Sequence, residues 1–367
     1  MAPLPAPGLV LALVTGPGPA PALVLTTGTT MTAPTPRPES PAPINGSPAA
    51  PPWPGTVRPI GHRIANEDYY RAVVAAGRAP SAHDTQPWRW QVAGGALDLF
   101  VVHQRMSGFP DPDGRLATIS CGAALHHACL TLAARGWSVS VTRRPVTGDP
   151  THLARLFIVG RAPVSPETAG LARSIDSARA DQRPVTGDPG EPATLRAVHA
   201  AFEAQQVRVG VLTPAQVLEL TAATAPAGNG RTAGAVRQGE AASWSGTEPT
   251  SGTPGPRSPS ALGGHDEAAT FAVLHGPRDR DVDWLRAGEA LSAGSLVAAG
   301  LGLSLLPLSA PIEQAAAETV PRPIPELGHP YLIVRLGRPA TATVVPHVER
   351  PKKTQTIDLL SLVAEPD

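Results

Sequence analysis

The chain has 367 residues, of which 42% are hydrophobic and 16% charged, and its 30 basic and 30 acidic residues balance to a net charge of zero. That length suits two domains or two halves, and the composition is globular rather than acidic and disordered. No basic field exists to draw in nucleic acid or an anionic membrane, which excludes a nonspecific nucleic-acid binder. Two cysteines, Cys121 and Cys129, cannot build a disulfide framework and fit a reducing compartment, so a cytoplasmic location is expected. The chain contains no HExxH, CxxC, GxSxG or Walker pattern, which removes support for the corresponding zinc, redox, hydrolase and nucleotide readings.

Residues 1–60 hold 16 of the 44 prolines, and their only charges are Arg37, Glu39 and Arg58. The apolar run Leu9–Val24 is broken by Pro17, Pro19 and Pro21 and has no basic residue ahead of it. Neither a signal peptide nor a membrane span is expected there. The segment reads as a disordered Pro/Ala-rich extension, with Met31 as an alternative start.

Glu67–Gly77 predicts a helix, and an irregular run, Arg78–Pro87, follows it. Trp88–Val92 and Ala96–Val102 flank Gly94-Gly95, which is a hairpin signal. Leu116–Gly136 is apolar almost all round and predicts a buried helix, while His126 and His127 at its middle speak against a membrane span. Trp137–Val141 and Arg155–Val159 are strand candidates.

A second unit starts with helices over Pro166–Ala178 and Glu191–Gln205, followed by a strand over Val207–Leu212. Thr213 caps a helix that runs to about Ala223, with Pro214 in its first position. Residues 226–266, rich in Gly, Ser, Thr and Pro, suggest a lid or arm. Then come a strand at Thr270–Leu274, a helix at Val282–Gly300, strands at Leu303–Leu306 and Tyr331–Leu336, and a helix at Ala310–Glu318 between those strands. Each half thus holds a long core helix and short, antiparallel strands, an α+β arrangement rather than a βαβ series. The expected division is an extension at 1–60, one half at 61–165 and a second at 166–367.

The strongest local signal is Ala79-Pro-Ser-Ala-His-Asp-Thr-Gln-Pro-Trp88. Pro80 ends a helix, Ser81 and Asp84 can bond their own backbone, and Pro87 predicts an extended Gln86. The loop sets Ser81, His83, Asp84, Thr85 and Gln86 beside the large ring of Trp88, so it reads either as a seat for a planar heteroaromatic or as a capping turn on a core tryptophan. Cys121, His126, His127 and Cys129 do not make a metal site. Positions 121 and 129 stand about 80° apart on a helix, and neighbouring histidines diverge by about 100°. No metal is expected.

The run resembles the APSxHNTQPW loop of nitroreductase-like flavoproteins, in their Acg-type branch. The resemblance continues in order through Arg105, Asp111-Pro-Asp-Gly-Arg115, Ile119-Ser-Cys-Gly-Ala-Ala-Leu125, Ala178-Arg-Ala-Asp-Gln-Arg-Pro-Val185, Asp283-Trp-Leu-Arg-Ala-Gly-Glu-Ala-Leu291, Gly302–Glu313 and Tyr331–Gly337. It implies two fused, pseudo-repeated nitroreductase-like halves, each with short strands around a long buried helix, that imitate a dimer within a monomer and hold FMN between them. It further implies that Ser81, Asp84, Gln86 and Trp88 meet the flavin, that Arg179 and Arg183 meet its phosphate, and that the backbone of Pro307, Leu308 and Ser309 lies near the ring. No side chain need act as acid or base, so no catalytic residue is assigned.

Two departures stand out. Asp84 replaces the usual Asn and exchanges an amide donor for a carboxylate, while Ala178, Ala180 and Gln182 replace Arg, Thr and Arg. The function implied is electron transfer from NAD(P)H through FMN to a small nitro or quinone-like acceptor. A second reading, from the same branch, is stress-related FMN storage with the 226–266 lid closed over the flavin, and a third is an empty pocket. The fold alone does not choose among them.

Overall fold

The computed structural model describes residues 62–107, 109, 111–178, 185, 192–223, 269–308 and 328–339. All of these fall within one unit of the chain; the segment Val14–Arg58 lies outside the described residues, as do the expected extension at 1–60, the lid at 226–266 and the helix at Ala310–Glu318. Among the described residues the elements in chain order are α1 (His62–Ala76), β1 (Trp88–Ala93), β2 (Ala96–Val101), α2 (Arg115–Ala134), β3 (Trp137–Arg143), β4 (His152–Arg161), α3 (Pro166–Ser177), α4 (Pro192–Glu203), β5 (Arg208–Val211), α5 (Pro214–Ala223), β6 (Thr270–Gly276), α6 (Asp281–Gly300), β7 (Ser304–Leu308) and β8 (His329–Gly337). The fold class is α+β.

The strands form two four-stranded sheets, ordered β1-β2-β4-β3 and β5-β6-β8-β7. Every pairing is antiparallel. The β1–β2 hairpin turns through Gly94 and Gly95, with φ of 58° and 74°, which agrees with the hairpin signal in the sequence. Strand β4 starts at His152, earlier than its apolar run suggests, because Asp98 of β2 draws in the imidazole (2.8 Å) and Arg155 (2.7 Å). Caps set other boundaries. Ser165 accepts the Thr168 N–H at 3.1 Å before α3. Thr213 and Gln216 bond reciprocally before α5, Thr213 Oγ1 accepting the Gln216 N–H at 3.3 Å and Gln216 Oε1 accepting the Thr213 N–H at 2.9 Å.

Two 20-residue helices, α2 and α6, pack together more extensively than any other pair of the described elements. Helix α2 is long and apolar enough to cross a membrane, and its apolar surface is buried inside the fold. A helix apolar on all sides needs apolar neighbours on all sides, and α2 meets this need by packing against α1, its own sheet and α6. The two central helices touch where each carries a glycine at its eighth residue, Gly122 and Gly288. A Cβ on Gly122 would collide with the Leu285 carbonyl oxygen, and one on Gly288 would collide with the Ile119 carbonyl oxygen. Backbone thus meets backbone, and each helix reaches across the contact. Leu285 of α6 lies in the core built by the first sheet, and Ile119 of α2 in the core built by the second.

Polar side chains join α6 to β3 and to α2. Glu289 accepts from Arg143 Nε at 2.8 Å and Nη2 at 2.5 Å, with the Glu289 side chain 5% exposed. His126 Nδ1 and Ser292 Oγ are 2.8 Å apart in the interior. At the start of α2, Arg115 bonds Asp279 at 2.9 Å and lies over the Trp284 ring.

Replacing Gly288 with alanine tests the crossing. Helix propensity alone favours alanine by about 1 kcal/mol, whereas forcing a methyl into a filled contact costs about 1–3 kcal/mol. We expect Gly288→Ala to lower the unfolding temperature by several degrees in a thermal melt; a rise would show that the helices are not in backbone contact there.

Candidate functional site

The loop Ala79–Trp88 links α1 to β1 and turns through a short 3-10 segment at Ala82–Asp84. Three of its non-glycine residues have left-handed backbone: His83 (φ 52°), Asp84 (φ 56°) and Gln86 (φ 47°). Such conformations carry a strain of about 1 kcal/mol or more each and persist only where surrounding bonds over-determine them. Histidine and aspartate tolerate the region better than most residues.

Those bonds are present. The Gln86 N–H donates to Ser81 Oγ at 3.2 Å, and Gln86 Nε2 donates to the Gly77 carbonyl at 3.2 Å. Arg105 Nη1 donates to the carbonyls of Gln86 at 2.8 Å and Trp88 at 3.1 Å. The Ala82 N–H donates to Ser120 Oγ at 3.0 Å, and that hydroxyl donates to Leu116 O at 2.7 Å, tying the loop to the first turns of α2. Thr85 Oγ1 donates to Ala82 O at 2.8 Å. The extended Gln86 expected from Pro87 is therefore corrected to a left-handed residue. Proline disfavours the right-handed helical region for the residue before it, and here the Ser81, Gly77 and Arg105 bonds choose the left-handed alternative over the extended one.

His83 lies parallel to Phe109, with ring centroids 4.1 Å apart and planes 10° apart. Burial lowers the His83 proton affinity below the ordinary histidine range, with the Asp111 carboxylate acting in the opposite direction. Asp111 itself caps α2, accepting the N–H groups of Leu116 at 3.0 Å and Ala117 at 2.9 Å. These two donors at the helix start are taken.

Of the residues implied by sequence, Ser81 and Gln86 are brought together by their hydrogen bond, and Asp84 sits exposed at the loop's tip. Trp88, 5% exposed, is part of the first core. Pro307 and Leu308 lie in β7 of the other sheet, where Leu308 is packed with Val217 and Leu220 of α5. Arg179, Arg183 and Ser309 lie outside the described residues. The sequence reading noted Arg105 without a role and missed the His83–Phe109 stack; both contacts join residues from separate loops. The Asp111 cap was legible, as an acidic residue shortly before an apolar run.

The cysteine and histidine cluster on α2 serves packing. His126 bonds Ser292, His127 Nδ1 lies 3.3 Å from the Ala75 carbonyl, and the Cys121 thiol donates to the Pro87 carbonyl at 3.4 Å. Among the described residues no group of three potential ligands is placed to hold a metal ion. Burial pushes both thiols up, that of Cys129 to about 12.

No family model matches the chain. Among curated proteins it is 33% identical over 311 residues to "Putative NAD(P)H nitroreductase Rv3131" of Mycobacterium tuberculosis strain H37Rv, covering 77% of this chain and 89% of that one. The chain belongs to the nitroreductase family. Its Acg-type character is carried by a second M. tuberculosis relative, "Putative NAD(P)H nitroreductase acg", which is 29% identical over 307 residues, or 76% of this chain and 90% of that one. A third, "Uncharacterized protein Rv3127", is 40% identical over 103 residues, 27% of this chain and 29% of that one. In this nitroreductase-like protein, then, the loop singled out in the sequence is a strained segment anchored to the central helix α2.

The buried histidines make stability depend on pH. Burial, aided by the neighbouring His127, pushes His126 down to about 3, and burial pushes His127 down to about 4. Unfolded histidine titrates near 6.5, so below that pH the unfolded state takes up protons that the folded state refuses. The contribution of neutral burial is fully present above about pH 6.5 and is lost as pH falls through about 4. We expect urea unfolding free energies to decline steadily from pH 7 to 4, and the decline to flatten in a His126→Gln/His127→Gln variant.

Proposed function

We propose that the chain is an FMN-dependent oxidoreductase that passes electrons from NAD(P)H to a small nitro or quinone-like acceptor. The observation that carries this reading is the similarity, over 311 residues and most of both chains, to relatives named as NAD(P)H nitroreductases. The chemistry of the loop fits a flavin. Its shape is set by bonds within the protein, and it carries a buried imidazole nitrogen, His83 Nε2, with no hydrogen-bond partner among the described residues. A planar heterocycle edged with oxygens and nitrogens matches such a surface.

In this reading the two sheets with their central helices are two fused halves that imitate a dimer. Three observations support it: the same relative strand order in each sheet, a contact glycine at the eighth residue of each central helix, and the reciprocal placement of Ile119 and Leu285 in each other's cores. Ser81, Asp84 and Gln86 would hold the flavin from the first half, with Trp88 supporting them from the core, and the backbone of Pro307, Leu308 and Ser309 from the second. Arg179 and Arg183 would bind the phosphate, because a guanidinium matches phosphate oxygens with paired, charge-assisted hydrogen bonds.

When bound, the flavin supplies the hydride and electron chemistry. The protein's residues do the placing. Ser81 holds the Gln86 backbone, and Arg105 fixes the carbonyls on either side of Pro87. Asp84 brings a carboxylate to the exposed tip of the loop, where it repels negative charge.

Arg179→Ala is expected to weaken FMN binding by about 1.5–3 kcal/mol, measured by titration of flavin-free protein. Full flavin retention after dialysis would move the phosphate contact to another residue. Asp84→Asn removes the charge and restores an amide donor. It is expected to bind FMN more tightly and to raise the midpoint potential in a redox titration; an unchanged potential would place Asp84 away from the ring.

A further inference from the structure

Among the described residues, buried nitrogens without a hydrogen-bond partner include His83 Nε2, Trp90 Nε1 and His275 Nδ1. Trp90 is part of the packed core of the first sheet, and His275 is a buried residue of β6. Only His83 belongs to the strained loop. Buried polar atoms are paired in the great majority of cases, so a single exception inside a pre-shaped loop calls for a physical reason.

The imidazole is covered on one face, and the backbone that carries it is fixed. Its ring lies parallel to Phe109 at 4.1 Å, which covers one face. Its backbone is flanked by Ala82, whose N–H is bound by Ser120, and by Thr85, whose hydroxyl returns to the Ala82 carbonyl. The left-handed turn at φ 52°, ψ 25° is fixed by the same bonds. An imidazole nitrogen bonds only in the plane of its ring. A partner must come to Nε2 edge-on. Protonation is no alternative remedy, because burial disfavours the imidazolium here. A neutral imidazole with its proton on Nε2 donates one hydrogen bond to an oxygen.

We propose that His83 is a ligand-binding residue whose Nε2–H donates to a carbonyl or nitro oxygen of a planar ring bound at the 79–88 loop. This rests on the flavoprotein reading above. The oxygen belongs either to the flavin or to the aromatic acceptor that lies against it, and the chemistry of the contact is the same for both. The Phe109 stack sets the plane in which the bond forms, so that the residue selects ligands by where an oxygen sits on their edge.

The test uses full-length protein and two variants. His83→Ala removes the nitrogen. His83→Gln returns an amide donor, and glutamine tolerates left-handed backbone in this loop, as Gln86 does. Each protein is titrated first with FMN, then, once loaded with FMN, with p-nitrobenzoate, read as a change in the visible flavin band. We expect His83→Ala to lose about threefold to tenfold in affinity in one of the two titrations, the value of one hydrogen bond, and His83→Gln to recover part of it. A loss in the FMN titration makes the flavin the partner, and a loss confined to p-nitrobenzoate makes it the acceptor. A His83→Ala protein that binds FMN and p-nitrobenzoate like wild type, or an affinity loss that His83→Gln fails to recover, overturns the inference and leaves the flavoprotein reading standing. Wild-type protein that takes up no FMN overturns both.

Discussion

The backbone contact between α2 and α6 is the constraint on which the remainder of the structure depends. Two helices that are apolar on nearly every side bring their axes together only where side chains are absent, and Gly122 and Gly288 supply that gap on both partners. Close approach then lets Leu285 and Ile119 reach past the crossing into the opposite cores. The Arg143–Glu289 pair is the polar consequence. A buried pair of charges gains little over apolar packing, yet either charge alone would be costly, so β3 of the first sheet and α6 are held in one relative position.

The loop is built on that framework. Its anchor, Ser120, lies two residues before Gly122 on α2, so the helix that makes the central contact also positions the Ala82 N–H. Around this point the backbone is strained at His83, Asp84 and Gln86 and is held by Ser81, Gly77 and Arg105. Strained backbone of this kind persists only where the surround over-determines it, and here the bonds to Ser81, Gly77 and Arg105 do so. The departure from the asparagine that the resemblance implies falls at Asp84, an exposed residue of the loop.

Membership of the nitroreductase family accounts for the loop but not for every feature of it. The resemblance named Ser81, Asp84, Gln86 and Trp88 as a group, whereas the structure divides them. Ser81 and Gln86 shape the loop, Trp88 fills the core, and Asp84 is left at the surface. His83, which the motif carries without singling out, is the loop residue with a buried nitrogen unpaired.

Much of this architecture was legible in the residues themselves. The long apolar runs around Gly122 and Gly288, the Gly94-Gly95 turn, the Thr213-Pro214 cap and the antiparallel strand pattern all follow from local chemistry: hydrophobic periodicity, glycine's freedom, and side chains that bond their own backbone. Pairings between residues distant in the chain did not follow. Arg105 with Gln86, His83 with Phe109, His126 with Ser292 and Arg143 with Glu289 each depend on how far apart and at what angle the elements pack. Even Gln86, whose conformation proline seemed to dictate, was decided by three bonds to other parts of the chain. A local preference is worth about 1 kcal/mol, and several hydrogen bonds formed together in a partly buried loop outweigh it.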